Sequence, residues 1–203
     1  MKILMIDNYD SFTYNLVQYL RELTGKVIKV VRNDEVPLSF VAGYDCIFIS
    51  PGPGLPADSG IILEVIKTYS STKSIFGVCL GLQAIGEAFG GRLINLSKVY
   101  HGVHTPVMVT DPAEEIFKGI PSPFMAGRYH SWVVDQQSVP DVLQVTAVDE
   151  QGMIMAASHK IYHVKGVQFH PESVLTPEGK KILKNFLQES EAMYKKQLIE
   201  DTF

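Results

Sequence analysis

The first ninety residues alternate between short apolar runs and stretches with helical spacing, and few folds accept that pattern. Ile3 to Ile6 is continuously apolar, as required of a strand covered on both faces. Val27 to Val31, Cys46 to Ile49 and Ile75 to Cys79 are further strand candidates. Between the first two, Phe12, Leu16, Leu20 and Leu23 recur at helical spacing, with Asp10 or Ser11 as N-cap and Gly25 as the stop. Further helices are expected from about Asp58 to Tyr69 and from about Gly81 to Phe89, the latter closed by Gly90 and Gly91. The pattern predicts an α/β fold with an open, largely parallel central sheet flanked by helices.

The second half reads as strands in succession: Val99 to Thr110, Phe124 to Val134, Val142 to Val148, Met153 to Ser158 and Ile161 to Phe169. These fit antiparallel additions to the sheet or a small second sheet. Thr176-Pro177-Glu178-Gly179 then opens a last helix through Ile182, Leu183 and Phe186, with Pro177 at an early helical position. Residues 1–190 are expected to form one domain, and 191–203 a charged, frayed helical C-terminal tail.

A net charge of −4 with no basic block argues against nucleic acid as a partner. Lys180, Lys181 and Lys184 read as a solvated helix face. Asp7 ends the first apolar run, which is far too short for a signal peptide, and nothing approaches the ~20 apolar residues of a membrane span. No membrane association and a cytoplasmic location are expected. Cys46 and Cys79, the two cysteines, make neither a disulfide framework nor a zinc site. His101 with His104, and His159 with His163, are spaced like metal pairs. Each lies in strand-like sequence with no third ligand nearby, so no metal is expected.

Chemistry points first to Gly77-Val78-Cys79-Leu80-Gly81. A strand turning sharply into a helix, with a nucleophile at the corner, needs glycines at those offsets so that the chain can pass its neighbours. The helix N-terminus would favour a thiolate there. A buried core cysteine is the other reading of the same residues. His170, followed by Pro171 and Glu172, ends the last strand candidate. In extended backbone Glu172 shares a side with His170 and could hold one imidazole nitrogen, leaving the other for a thiol. Strand ends gather at one edge of such a sheet. Pro51-Gly52-Pro53-Gly54 offers one backbone N–H among its first three residues, that of Gly52. With the N–H of Leu80 it could form an oxyanion hole. Taken alone, these two segments are also a surface turn and a rigid loop.

Together, Ser50 to Gly54, Gly77 to Gln83 and Gly166 to Glu172 resemble the triad-type, class I glutamine amidotransferases in order and spacing, over essentially the whole chain. The resemblance implies Cys79 as nucleophile, His170 as base and then acid, Glu172 as orienter, and Gly52 and Leu80 as oxyanion donors. It implies glutamine contacts at Gly52, Pro53, Gly54, Leu80, Gln83, Ser131 and Trp132, where leucine often stands at the last position. No metal or organic cofactor is implied. Asp7 to Asn15 and Arg128 to Trp132 are similar to the glutaminase subunits of anthranilate synthase and aminodeoxychorismate synthase. The implied substrate is L-glutamine, and the implied protein partner is a chorismate-binding synthase subunit. Anthranilate supply is the leading expectation. The alternatives are aminodeoxychorismate supply, a cysteine hydrolase of peptides or esters, and the role of a weakly active scaffold subunit.

Overall fold

The computed structural model describes residues 1–200. Strands β1 (Ile3–Asp7), β2 (Lys29–Arg32), β3 (Cys46–Ile49) and β4 (Ser74–Val78) alternate with helices α1 (Thr13–Thr24), α2 (Ile62–Tyr69) and α3 (Leu80–Ala88). Then follow β5 (Leu93–Asn95), β6 (Val103–Val109), β7 (Phe124–Arg128), β8 (Trp132–Val134), β9 (Leu143–Asp149), β10 (Ile154–His159), β11 (Val164–Val167) and α4 (Gly179–Glu200). Nine strands form one sheet in the order β2-β1-β3-β4-β11-β10-β9-β6-β7, and β5 pairs with β8 in a separate ribbon. The pairs from β2 to β11 are parallel. Those from β11 to β7 are antiparallel. Both expected arrangements of the second half therefore occur.

Alternate residues of the parallel strands face opposite cores. Ile3, Met5, Phe48 and Phe76 pack with Leu16 and Leu20 of α1 and with Ile182 and Phe186 of α4. Leu4, Ile6, Ile47 and Ile75 pack on the other side with Val65 and Ile66 of α2 and Ala84 and Ile85 of α3. Each such side chain contributes ~1.5–3 kcal/mol by leaving water. That two-sided demand is why these runs are apolar throughout. Cys46 is fully buried in the first core, where burial pushes its thiol up to about 12.

Several boundaries differ from expectation. The N-cap of α1 is Phe12; Asp10 instead accepts a hydrogen bond from the Phe12 N–H at 2.8 Å. Gly25 does end the helix, at φ 65° with its N–H on the Arg21 carbonyl. A 3-10 turn at Pro56–Asp58 and the left-handed Gly60 delay α2 until Ile62. β6 starts at Val103, after Gly102 turns at φ 67°. The stretch from Phe124 breaks at Tyr129–Ser131 into β7 and β8, which belong to different sheets. Pro177 lies in the turn before α4 rather than in its first turn. Helix α4 runs without a break past Ser190 to Glu200, while residues 201–203 of the expected tail lie outside the described residues. Two of its lysines are engaged: Lys180 pairs with Glu22 at 2.5 Å, and Lys181 donates to the Gly119 carbonyl. Among the described residues no helix is long and apolar enough to cross a membrane.

Candidate active site

At the end of β4 the chain turns through Cys79 at φ 52°, ψ −99°, one of two non-glycine residues with positive φ among those described. Such a conformation costs ~1–3 kcal/mol and persists only where the surroundings impose it. Here they do. A Cβ on Gly77 would stand 2.4 Å from the Gly81 carbonyl carbon, and one on Gly81 would stand 2.8 Å from the Ile49 carbonyl oxygen. The corner is further tied by hydrogen bonds from Cys79 N–H to the Val167 carbonyl (2.8 Å) and from Gln83 N–H to the Cys79 carbonyl (3.1 Å). Cys79 is 5% exposed, at the N-terminus of α3.

β11 lies beside β4 in the sheet, so the segment that follows it reaches the same edge. His170 is held there by its own N–H on the Gly127 carbonyl (2.9 Å) and by its carbonyl accepting from Thr176 Oγ1 (2.7 Å). His170 Nδ1 and Glu172 Oε1 are 2.6 Å apart, and both residues are buried. The imidazole also meets the rings of Tyr129 and Phe12 edge-on, at 4.8 and 5.5 Å. Burial opposes the charged imidazole, but the adjacent Cys79 sulfur and the Glu172 carboxylate outweigh it and raise His170 from 6.5 to about 10. Nε2 of His170 is buried without an aligned hydrogen-bond partner. That nitrogen is therefore available for proton transfer with the neighbouring sulfur.

The loop after β3 forms the opposite wall. Asn8 pins it: its N–H donates to Ser50 Oγ and its Nδ2 to the Ser50 carbonyl, both at 2.8 Å. Asn33 Nδ2 in turn donates to Asn8 Oδ1 at 2.9 Å. Gly52 passes so close that a Cβ there would lie 2.5 Å from Asn8 Cβ and 2.9 Å from Leu80 Cδ2. The glycine is thus required by the approach of Asn8 and of the helix carrying the Leu80 N–H.

A cavity of about 220 Å³ is lined by Gly52, Pro53, Gly54, Cys79, Gln83, Tyr129, His130, Ser131 and Trp132. It is smaller than drug-sized sites of ~300–1,000 Å³ and suits a free amino acid. A second cavity of about 420 Å³ opens on the other side of Cys79, beside Tyr9, Phe12, His101 and His170. A larger one, of about 560 Å³, lies by Met1 and Lys26 and shares no residue with this site. The expected residues Gly52, Pro53, Gly54, Cys79, Gln83, Ser131 and Trp132 therefore converge on one cavity. Leu80, expected with them, does not line that cavity: its side chain packs in the core around α2 and α3, and only its backbone, next to Cys79, lies near the site. His170 adjoins Cys79 from the β11 side, with Glu172 behind it on Nδ1.

Besides Gln168, taken up below, three features escaped the sequence reading. The first is Asn8 as the pin of the glycine loop. The second is the ring wall made by Phe12 and Tyr129. The third is a buried polar chain behind the cavity. Arg128 pairs with Asp149 at 2.7 Å and donates from Nε to His130 Nε2 at 3.1 Å. Burial and the Arg128 charge push His130 down to about 3, so the ring is neutral. Its Nδ1 reaches the Trp132 carbonyl at 3.1 Å, which also accepts from Gln83 Nε2 at 2.9 Å. That carbonyl is therefore saturated, and Gln83 has only its Oε1 left for a ligand. Opposite charges at Arg128 and Asp149, 21 residues apart, were the available signal for this chain.

A thiol at a strained corner beside a carboxylate-held imidazole can perform acyl transfer. The family model "Glutamine amidotransferase class-I" matches residues 4–190. The chain belongs to this family. It is 52% identical over 199 residues to anthranilate synthase beta subunit 1, chloroplastic, of Oryza sativa subsp. japonica, covering 95% of this chain and 69% of that protein. It is 48% identical over 188 residues to anthranilate synthase component 2 of Cyanophora paradoxa, covering 91% of this chain and 97% of the relative. A solved structure of a candidate GMP synthase subunit from Thermoplasma acidophilum superposes with a TM-score of 0.85 at 28% identity, covering 97% of both chains. As a glutamine amidotransferase, the protein is an enzyme that takes nitrogen from glutamine. The fold agrees with the α/β expectation and with the family.

Proposed function

We propose that this enzyme hydrolyses L-glutamine through a thioester on Cys79 and delivers the ammonia to a chorismate-using synthase subunit for anthranilate formation. The observation that carries the chemistry is the junction of Cys79 and the His170–Glu172 pair at the rim of an amino-acid-sized cavity. The sulfur of Cys79 attacks the side-chain carbonyl carbon of glutamine. The Gly52 and Leu80 N–H groups receive the oxyanion, an interaction worth ~3–4 kcal/mol per donor. As the C–N bond breaks, His170 gives its proton to the departing nitrogen, leaving ammonia and a γ-glutamyl thioester. His170 then takes a proton from water, whose oxygen attacks the thioester. Collapse releases glutamate and returns the sulfur to its starting state. Glu172 keeps the imidazole oriented throughout. Ser131, the Trp132 backbone and Gln83 Oε1 are placed to hold the amino-acid end, with Pro53 and Gly54 closing the rim. The scheme calls for no metal or organic cofactor.

The partner reading is supported by the names of the rice and Cyanophora relatives, each a second component or beta subunit of anthranilate synthase. Cys79 must be a free thiol, which fits a reducing compartment such as the cytoplasm. The test is Cys79→Ala, assayed with the synthase subunit. Glutamine-dependent product should vanish while ammonia-dependent product persists. Undiminished use of glutamine by the variant would overturn the proposal.

A further inference from the structure

Gln168 is fully buried, and its Nε2 lies 3.4 Å from Cys79 Sγ, yet the scheme above gives it no part. We propose that Gln168 is a further catalytic residue, whose side-chain N–H holds the Cys79 sulfur in its reactive position and stabilises its negative charge. The inference rests on Cys79 being the nucleophile.

Sheet register accounts for the placement. Val167 of β11 is the partner of Val78 of β4. The next residue on each strand, Gln168 and Cys79, therefore stand side by side at the sheet edge. Gln168 is kept there by its own N–H on the Met155 carbonyl at 2.8 Å.

Which end of the amide faces the sulfur is settled by groups that cannot reverse. Arg128 has donors only, so its Nε makes His130 Nε2 the acceptor and leaves the proton of the neutral ring on Nδ1. That proton points at the Trp132 carbonyl, which can only accept. Gln83 must therefore present its NH2 to the same carbonyl, and this nitrogen also reaches Gln168 Oε1 at 3.3 Å. With its oxygen engaged by Gln83, Gln168 turns its NH2 to the sulfur. The reverse orientation would set donor against donor at Gln83 and an oxygen against a thiolate. The buried Arg128–Asp149 pair anchors the whole chain. The bond is strongest while the sulfur is negative, weakens in the neutral thioester, and returns when the thioester is hydrolysed.

The test is the pH profile of Cys79 alkylation by iodoacetamide in the purified chain, followed by intact mass. Gln168→Met keeps the volume and loses the donor. Gln168→Glu keeps the acceptor for Gln83 but turns an oxygen to the sulfur. Losing one charge-assisted bond to the negative sulfur, about tenfold in equilibrium terms, should move the profile of Gln168→Met about one unit to higher pH. Gln168→Glu should move at least as far. A merely structural tie would lower the melting temperature and leave this profile unchanged. A wild-type profile in either folded variant overturns the proposal. If neither variant folds, the assigned Gln168 side-chain amide signals of the native protein decide. They must shift when Cys79 is alkylated, and unmoved signals overturn the proposal. Iodoacetamide needs no glutamine turnover. A chain inert to glutamine whose alkylation still depends on Gln168 would refute the glutaminase scheme alone.

Discussion

Replacing Gly52 by alanine tests whether the glycine loop supplies an oxyanion donor. The new Cβ would lie 2.5 Å from Asn8 Cβ, 2.6 Å from the Asn8 carbonyl oxygen and 2.9 Å from Leu80 Cδ2. Carbon atoms prefer ~3.5–4.0 Å, so about 1 Å of movement is needed. Leu80 Cδ2 is the end of a flexible side chain and can yield. Asn8 cannot, because its backbone and its side chain are bonded to Ser50 and its Oδ1 to Asn33. The displacement therefore falls on the loop and carries the Gly52 N–H away from the sulfur. A shift of about 1 Å at a reacting centre costs ~10²-fold, close to the ~10²–10³ for losing one oxyanion donor outright. Overpacking should destabilise the fold by only ~1–3 kcal/mol. The assay is glutamate release under saturating glutamine, with Cys79 alkylation as control. Turnover should drop about a hundredfold while alkylation stays near the wild-type rate. Turnover within threefold of wild type would refute the placement of the oxyanion beside Gly52.

Removing one member of the Arg128–Asp149 pair, as in Arg128→Met, leaves a buried charge without a partner. Unfolding free energy should fall by ~3–5 kcal/mol in urea melts, and a loss under 1 kcal/mol would contradict that account. Because His170 is raised to about 10, its contribution to stability is complete below the unfolded value of 6.5 and is lost as pH rises through about 10. Denaturation at pH 6 and pH 10 should show a loss on the alkaline side that His170→Asn reduces; equal losses in both proteins would contradict it. A Cβ on Gly179 would come within 1.9 Å of the Pro171 carbonyl oxygen, so Gly179→Ala should disturb the His170–Glu172 turn. A large fall in glutaminase activity with α4 retained by circular dichroism is the expected outcome.

How much of this was legible depended on range. Ile3 to Ile6, Cys46 to Ile49 and Ile75 to Cys79 advertise strands because each residue meets a core on one face or the other. The positions of Cys79, His170 and Gly52 were readable because each sits where backbone geometry limits residue choice. Strand order was not readable. Nothing local in Val164–Val167 says that β11 lies between β4 and β10. Nor does local sequence reveal that Tyr129–Ser131 leaves one sheet for another, since both flanks are apolar and extended. Asn8, Gln168 and the His130 chain were missed for the same reason. They are polar residues whose roles come from partners distant in sequence. Register would have found Gln168, since it follows the residue paired with Val78.

The adjacency of β4 and β11 has a consequence in time. Roughly ninety residues separate Cys79 from His170, and a ribosome adding ~5–20 residues per second needs roughly 5–20 s to cover them. Until β11 docks beside β4, the cysteine has neither its imidazole nor the Gln168 amide. A nascent or half-folded chain therefore carries an ordinary thiol, little disposed to attack anything it meets. Reactivity depends on the last strand in the sequence, and the rate at which Cys79 takes up a small electrophile reports on whether β11 has docked.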